Sequence, residues 1–155
     1  MILYAKGDCI AGALRQCELS EATQVVVHGC NDIAAWGAGF THALDVKNPS
    51  IGEDFRARGP QPLGSVTFAS IGRVHVANLV TQHGVLGRTT PNVAPIRYDA
   101  VHTAMGTLAR HLARFDGPVH VHMPRIGCGL AGGTWDRILP AVEQLTEYQV
   151  TVWDL

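Results

Sequence analysis

The chain has 155 residues, of which 46% are hydrophobic and 16% charged, and its net charge is -1. That balance excludes a disordered chain, and no stretch approaches the ~20 apolar residues of a membrane span. The 12 Lys and Arg residues form no run, which disfavours a nucleic-acid partner held through its phosphates. Cys9, Cys17, Cys30 and Cys128 show no C-x-x-C spacing, and the first ten residues lack the charged lead and long apolar stretch of a signal peptide. A single reduced, cytoplasmic domain over residues 1–155 is expected.

In chain order, the first strand is predicted at "ILYAK" (2–6). "GDCIAGAL" follows, where Asp8 could cap a short helix. "QVVVHG" (24–29) is a continuous apolar run, as expected of a strand covered on both faces. A glycine-rich loop, "HGCNDIAAWGAGF" (28–40), then leads into a helix through "THALDV". Residues 46–63, rich in Pro and Gly, carry little pattern and read as a surface connection. "SVTFAS" (65–70) and "VHVANLVT" (74–81), joined by a Gly-containing turn, predict an antiparallel hairpin.

In "PIRYDAVHTAMGTLARHLARF" (95–115), Val101, Met105, Leu108, Leu112 and Phe115 follow the helical period, while Arg110, Arg114 and His111 read as a solvated face. "PVHVHMP" (118–124) is a strand, followed by a second glycine loop, "RIGCGLAGGTW" (125–135). Trp135, Ile138, Leu139, Val142 and Leu145 carry the next helix; Pro140 either starts its regular part or kinks it. "QVTVWDL" (149–155) is the last strand. Strands alternating with helices, plus one hairpin, predict a mixed sheet with helices on both faces.

Glycine in regular structure costs roughly 0.5–1 kcal/mol relative to alanine, so bare backbone after two apolar strands needs a reason. If the two strands are parallel, both loops present N–H groups at one sheet edge, where ligands of open α/β sheets bind and an anion such as phosphate fits. The alternative is two ordinary tight turns. Gly127, Gly129 and Gly132 also satisfy G-x-G-x-x-G, with Asp154 about twenty residues on. That rival dinucleotide reading is weakened by position, since the fingerprint normally opens a sheet and only one strand follows here. His120 and His122 have the H-x-H spacing of zinc ligands, without an evident third. Cys128, in a loop before a helix, has no base beside it in sequence.

"GD" after the first strand, "HGCNDIAAWGAGF", "LGSVTF", "NLVTQHG", "RYDAVHTAM" and "MPRIGCGLAGGTW" closing on "VTVWDL" together resemble a macrodomain over nearly the full chain. The similarity runs toward the branch of terminal ADP-ribose protein glycohydrolases and ADP-ribose-1''-phosphate phosphatases. It implies a three-layer α/β/α sandwich with a mixed, mainly parallel six-stranded sheet. It also implies binding of ADP-ribose and mono-ADP-ribosylated proteins above the strand ends. Independently of it, a monomer with no cofactor, metal or membrane is expected.

By the same resemblance, Asp8 accepts a hydrogen bond from the adenine amino group, and Trp153 flanks the base. Gly37, Ala38 and Gly39 with Gly127, Gly129 and Leu130 cradle the diphosphate through backbone amides. Asn31 bonds the distal ribose, unless its amide closes an Asx-type turn instead. Cys9, Trp36, Ile126 and Cys128 complete the implied binding site.

The glycohydrolases of this branch use a lysine nucleophile in the segment matching "LVTQHG" and an aspartate in the segment matching "GCGLAGGTW". Here those positions are Gln82 and Ala131, and neither an amide nor a methyl group can take those roles. Asp32 and His83 remain as candidates to take a proton from water, with Asn31 placing the sugar. The expected activity is hydrolysis of mono-ADP-ribose from protein carboxylates, without a covalent lysine intermediate. A non-catalytic ADP-ribose reader and an ADP-ribose-1''-phosphate phosphatase are the alternatives.

Overall fold

The computed structural model describes residues 1–85 and 93–155. Over that span the chain runs β1 (Ile2–Lys6), α1 (Cys9–Leu19), β2 (Thr23–Asn31), α2 (Phe40–Lys47), α3 (Ser50–Arg58), β3 (Val66–Ile71) and β4 (Val74–Gln82). It continues with α4 (Tyr98–Leu112), β5 (Val119–Pro124), α5 (Trp135–Val142), a 3-10 turn (Glu143–Leu145) and β6 (Gln149–Asp154). The strands form one sheet in the order β1-β6-β5-β2-β4-β3. Every pairing is parallel except β3 with β4, the predicted hairpin.

The central strand shows why both faces must be covered. Val25 and Val27 point into a core with α4 and α5, whereas Val26 points into a second core with α1, α2 and α3. Period-two side chains on a fully apolar strand leave it no face for water. The result is a three-layer α/β/α sandwich. Among the described residues no helix is long and apolar enough to cross a membrane.

One helix departs from the sequence reading, and another bears out its capping alternative at greater length. The segment 46–63, expected as a surface connection, contains α3, which buries Ile51 and Phe55. Its Pro49 and Gly59 are not breakers; they occupy the N-cap and C-cap, positions that tolerate those residues. Helix α1 runs for eleven residues, with Asp8 as its N-cap accepting the Ala11 N–H at 3.0 Å. Gly12 within it is a packing requirement: any Cβ there would overlap the Trp153 ring.

Helix α5 starts at Trp135 and passes through the exposed Pro140 before tightening into the 3-10 turn, so the regular part does not begin at the proline. His111, expected on a solvated face with Arg110 and Arg114, stacks on Phe68 at 4.2 Å between centroids. The two arginines are exposed, whereas His111 is half-buried.

Candidate functional site

A cavity of about 870 Å³ opens at the edge of the sheet where the parallel strands β1, β2, β5 and β6 end. Its walls come from the β1–α1 junction, the loop after β2, the loop after β5, and Trp153 of β6; the end of β4 adds Gln82 and, just beyond it, Val85. The two glycine loops therefore face one space, as parallel strands require.

The loop after β2 is fastened by side chains. Asn31, at the strand's end, accepts the N–H groups of Ile33 and Ala35 at 3.1 and 2.9 Å and donates to the Ala35 carbonyl at 2.8 Å. The Asx-type turn is thus what the geometry displays. Both lone pairs of the Asn31 carbonyl are used, and one amide N–H is left over. Thr41 accepts the Gly37 N–H at 2.9 Å and donates to the Ala38 carbonyl at 2.8 Å. Trp36 donates to Asp45 at 2.9 Å and stands edge-on to His28.

His28, almost wholly buried beneath this loop, lies 2.5 Å from the Asn78 carbonyl oxygen. Asn78 spends its amino group on Thr67, so its oxygen must face the imidazole. Burial outweighs the Asn78 hydrogen bond and lowers the His28 pKa to about 4, keeping the ring neutral.

The loop after β5 is fastened by its own backbone. Gly133 N–H donates to the Gly127 carbonyl at 2.6 Å, Gly132 to Gly129 at 3.0 Å, and Cys128 to Arg125 at 3.2 Å. Gly127 has φ +75°, and a Cβ there would meet Ile96 at 2.6 Å. By contrast, a Cβ on Gly129 would meet nothing within 4 Å, and its φ lies outside the left-handed region. The N–H groups of Gly127, Gly129 and Leu130 donate to no group among the described residues. Helix α2 likewise begins at this cavity with no side-chain cap. Unpaired N–H groups from two elements converging on one space suit an anion.

At the other end of the cavity stand Asp8, Cys9 and Trp153. One oxygen of Asp8 caps α1; the second has no partner among the described residues. The Cys9 thiol is pushed up to about 12 by burial and by the charge on Asp8, so it is no nucleophile.

The candidate catalytic pair stands beside the cavity, next in the chain to the lining residues Asn31 and Gln82. Asp32 and His83 find each other, at 2.8 Å, and Asp32 also accepts the Gly84 N–H at 2.8 Å. Burial raises the Asp32 pKa, but those hydrogen bonds and the imidazole charge outweigh it and hold the carboxyl below its ordinary value. Neither residue is among the described residues that line the cavity. The pair bolts the end of β2 to the end of β4. Gln82 and Ala131, the positions that lack a nucleophile and a carboxylate, do line the wall.

Cys128 was expected in the wall. Its thiol instead reaches the Ile126 carbonyl at 3.5 Å, and burial raises its pKa despite Arg125. The dinucleotide reading loses its acidic residue, because Asp154 is bound bidentately by Arg125 at 2.6 and 3.1 Å. The zinc reading loses His122, whose two ring nitrogens face Gln24 and Trp153. Among the described residues no cluster of three metal-ligating side chains exists.

Sequence reasoning left out Arg125, Phe40, Thr41 and Val85, which also line the cavity. Arg125 sits within "MPRIGCGL" at the strand's last turn, and that position was the only signal available. Its guanidinium lies 5.2 Å from the Tyr4 ring and 5.4 Å from the Trp135 ring, a cation between two aromatic faces. Thr41 had a clearer signal, a hydroxyl in the first helical turn after a glycine.

No family model matches the chain, and no curated protein matches it. Solved structures do. A Bacteroides thetaiotaomicron protein of unknown function is 37% identical with a TM-score of 0.85, over 100% of this chain and 98% of its own. A macrodomain protein from Streptomyces coelicolor is 34% identical with a TM-score of 0.78, over 100% and 99%. Thermosipho africanus DarTG, solved in complex with ADP-ribose, is 13% identical with a TM-score of 0.63, over 84% of this chain and 38% of that one. At that identity the likeness shows the fold alone.

Proposed function

The chain belongs to the macrodomain family, and from that premise we propose that its cavity binds ADP-ribose and that it hydrolyses mono-ADP-ribose esters of protein Asp and Glu side chains. One observation carries the ligand: the loop after β5 and the start of α2, each following a parallel strand, turn unpaired backbone N–H groups into one cavity of about 870 Å³. A diphosphate spans them. The base then lies between Asp8 and Trp153, and the distal ribose lies toward Asn31 and Gln82. The Thermosipho africanus protein, which shares this fold, is solved in complex with ADP-ribose.

The chemistry follows from what this wall lacks. With Gln82 and Ala131 where a lysine and a carboxylate would act, no covalent sugar–protein bond forms. Water attacks the anomeric carbon of the distal ribose, the carbon–oxygen bond to the protein carboxylate breaks, and the carboxylate leaves as such. The water's proton passes to a phosphate oxygen of the ligand. The protein's part is placement: the free Asn31 N–H holds the sugar, and the loops hold the diphosphate.

A second reading, an ADP-ribose reader without activity, is favoured by the Asp32–His83 pair, which is occupied with itself outside the wall. Incubation with a glutamate-linked ADP-ribosylated protein separates the two: released ADP-ribose is expected, and intact conjugate with tight ADP-ribose binding leaves only the reader. ADP-ribose-1''-phosphate tests the phosphatase alternative. Calorimetry should give much weaker binding for NAD than for ADP-ribose. Equal affinities would reject the family ligand in favour of a dinucleotide.

A further inference from the structure

Trp153 is the largest side chain at the Asp8 end of the cavity, and three neighbours restrict it. Gly12 of α1 lies so close that any side chain there would overlap the indole, and a Cβ on Gly7 would stand 3.5 Å from it. The third neighbour is His122 of β5, whose Nδ1 accepts the indole N–H at 3.2 Å.

The proton positions behind that contact follow from chemistry. Gln24, 1% exposed, gives its amino group to the Ala22 carbonyl at 3.1 Å. Its carbonyl oxygen therefore faces His122 Nε2, at 2.7 Å, and Nε2 must carry the hydrogen. Nδ1 is then bare, and a bare nitrogen is what an indole, which only donates, requires. Burial lowers the His122 pKa to about 4, with the nearby His120 acting in the same sense, so the ring stays neutral and this tautomer persists. Gln24 on β2, His122 on β5 and Trp153 on β6 form one directional chain across three adjacent strands.

We infer that His122 is a positioning residue: with Gln24 behind it, it locks the Trp153 indole as a fixed wall against the base of the bound nucleotide. This rests on the reading that the cavity takes ADP-ribose. A free indole would pay rotational entropy on binding, whereas a locked one meets the base in place. His122 is not a described residue of the cavity wall, so its effect reaches the ligand only through Trp153.

The test pairs two variants with one measurement on the unmodified protein. His122→Phe keeps a ring of similar size and removes the acceptor. ADP-ribose affinity by calorimetry should fall roughly tenfold, the scale of one hydrogen bond. The Trp153 indole N–H resonance should move upfield, while the amide resonances of residues 31–39 and 126–133 stay in place. His122→Asn, which puts an oxygen near the former Nδ1, should recover part of both. If the wild-type protein binds ADP-ribose and His122→Phe binds it equally well, the positioning role fails and the functional reading stands. If the wild-type protein does not bind ADP-ribose, the functional reading fails and the positioning role goes with it. Should His122→Phe not fold, the nitrogen-15 shifts of the wild-type His122 ring decide. Hydrogen on Nε2 alone at neutral pH supports the chain, and hydrogen on Nδ1 overturns it.

Discussion

The two loops that face the cavity look alike in sequence and are built on opposite principles. The loop after β2 hangs on side chains, with Asn31 closing it and Thr41 and Trp36 tying it to α2. The loop after β5 closes on itself through main-chain bonds, with Gly127 seated on Ile96 and Ile138. What lies underneath also differs: the buried imidazole of His28 under the first, and aliphatic side chains under the second. Glycine content alone therefore does not say how a loop is held. A side-chain-fastened loop can be undone by one substitution or by a proton. A backbone-fastened loop can be changed only by adding a side chain.

Acid should separate them most. His28 and His122 both sit near pKa 4 in the fold, against an ordinary 6.5. The unfolded chain therefore binds more protons between those values, and stability falls as pH drops from about 6.5 to about 4. The loss is at most about 3 kcal/mol per histidine and levels off below pH 4 for these two groups. Asp32, held low, adds a loss of the same sign at still lower pH. Urea unfolding at pH 7 and pH 4.5 measures the total. Hydrogen exchange at pH 4.5 should rise at residues 31–39 before residues 126–133; equal rises would show that the two loops do not differ in this way.

The next largest effect is on the other loop. Gly129→Val adds a side chain where nothing lies within 4 Å and φ is unstrained, so unfolding free energy should change by less than about 0.5 kcal/mol. ADP-ribose binding should nonetheless fall beyond 100-fold, because the isopropyl group occupies the space between ligand and backbone amides. Gly37→Val is a poorer probe, since φ +118° strains any side chain there. Calorimetry showing wild-type affinity in folded Gly129→Val would reduce the second loop to an ordinary turn.

Asn31→Ala should act on both levels. Three hydrogen bonds disappear, for a loss of about 2 kcal/mol in stability. Turnover at saturating substrate should fall ~100-fold, because a misplaced loop misplaces the sugar. Unchanged turnover with lower stability would confine Asn31 to holding the loop.

This contrast marks how far the sequence could be read. Six strands, the hairpin and the shared sheet edge were legible because β-branched runs and their boundaries are local signals. Helix α1 was legible only as a short helix behind a capping Asp8. Helix α3 was not legible, because Gly52 counts toward a loop when its purpose is to admit the Trp36 ring from another segment. The same limit applies to the site. The backbone-built loop could be located from its glycines. That Asp32 and His83 would choose each other over the cavity is a tertiary fact, and no spacing in the sequence announces it.

Asp32→Asn tests that pair. Asparagine keeps the acceptor for Gly84 but loses the charge-assisted bond to His83, so stability should drop by about 1 kcal/mol. Turnover at saturating substrate should stay within about threefold, because phosphate rather than Asp32 takes the proton in the proposed route. A loss beyond 100-fold with ADP-ribose affinity intact would instead make Asp32 the base and bring the pair into the reaction.

The smallest effect is expected at Gln82, although it lines the cavity at the position where the sequence resemblance would put the nucleophile of a glycohydrolase. Its amide donates to the Gly84 carbonyl at 3.0 Å, and its backbone pairs with Ile96, so the side chain helps hold the chain leaving β4. Gln82→Ala removes one half-buried hydrogen bond and no acid, base or nucleophile. Turnover should stay within about fivefold of wild type, the range one such bond sets. If Gln82→Ala abolishes release of ADP-ribose while leaving binding intact, the amide itself must be placing the water. The chemistry would then belong to the side-chain-fastened side of the cavity rather than to the phosphate on the backbone loops. Borohydride supplies the sharper arm. With no amine at position 82 or 131, it should trap no sugar–protein adduct, and an adduct on any residue would replace the water route with a covalent one.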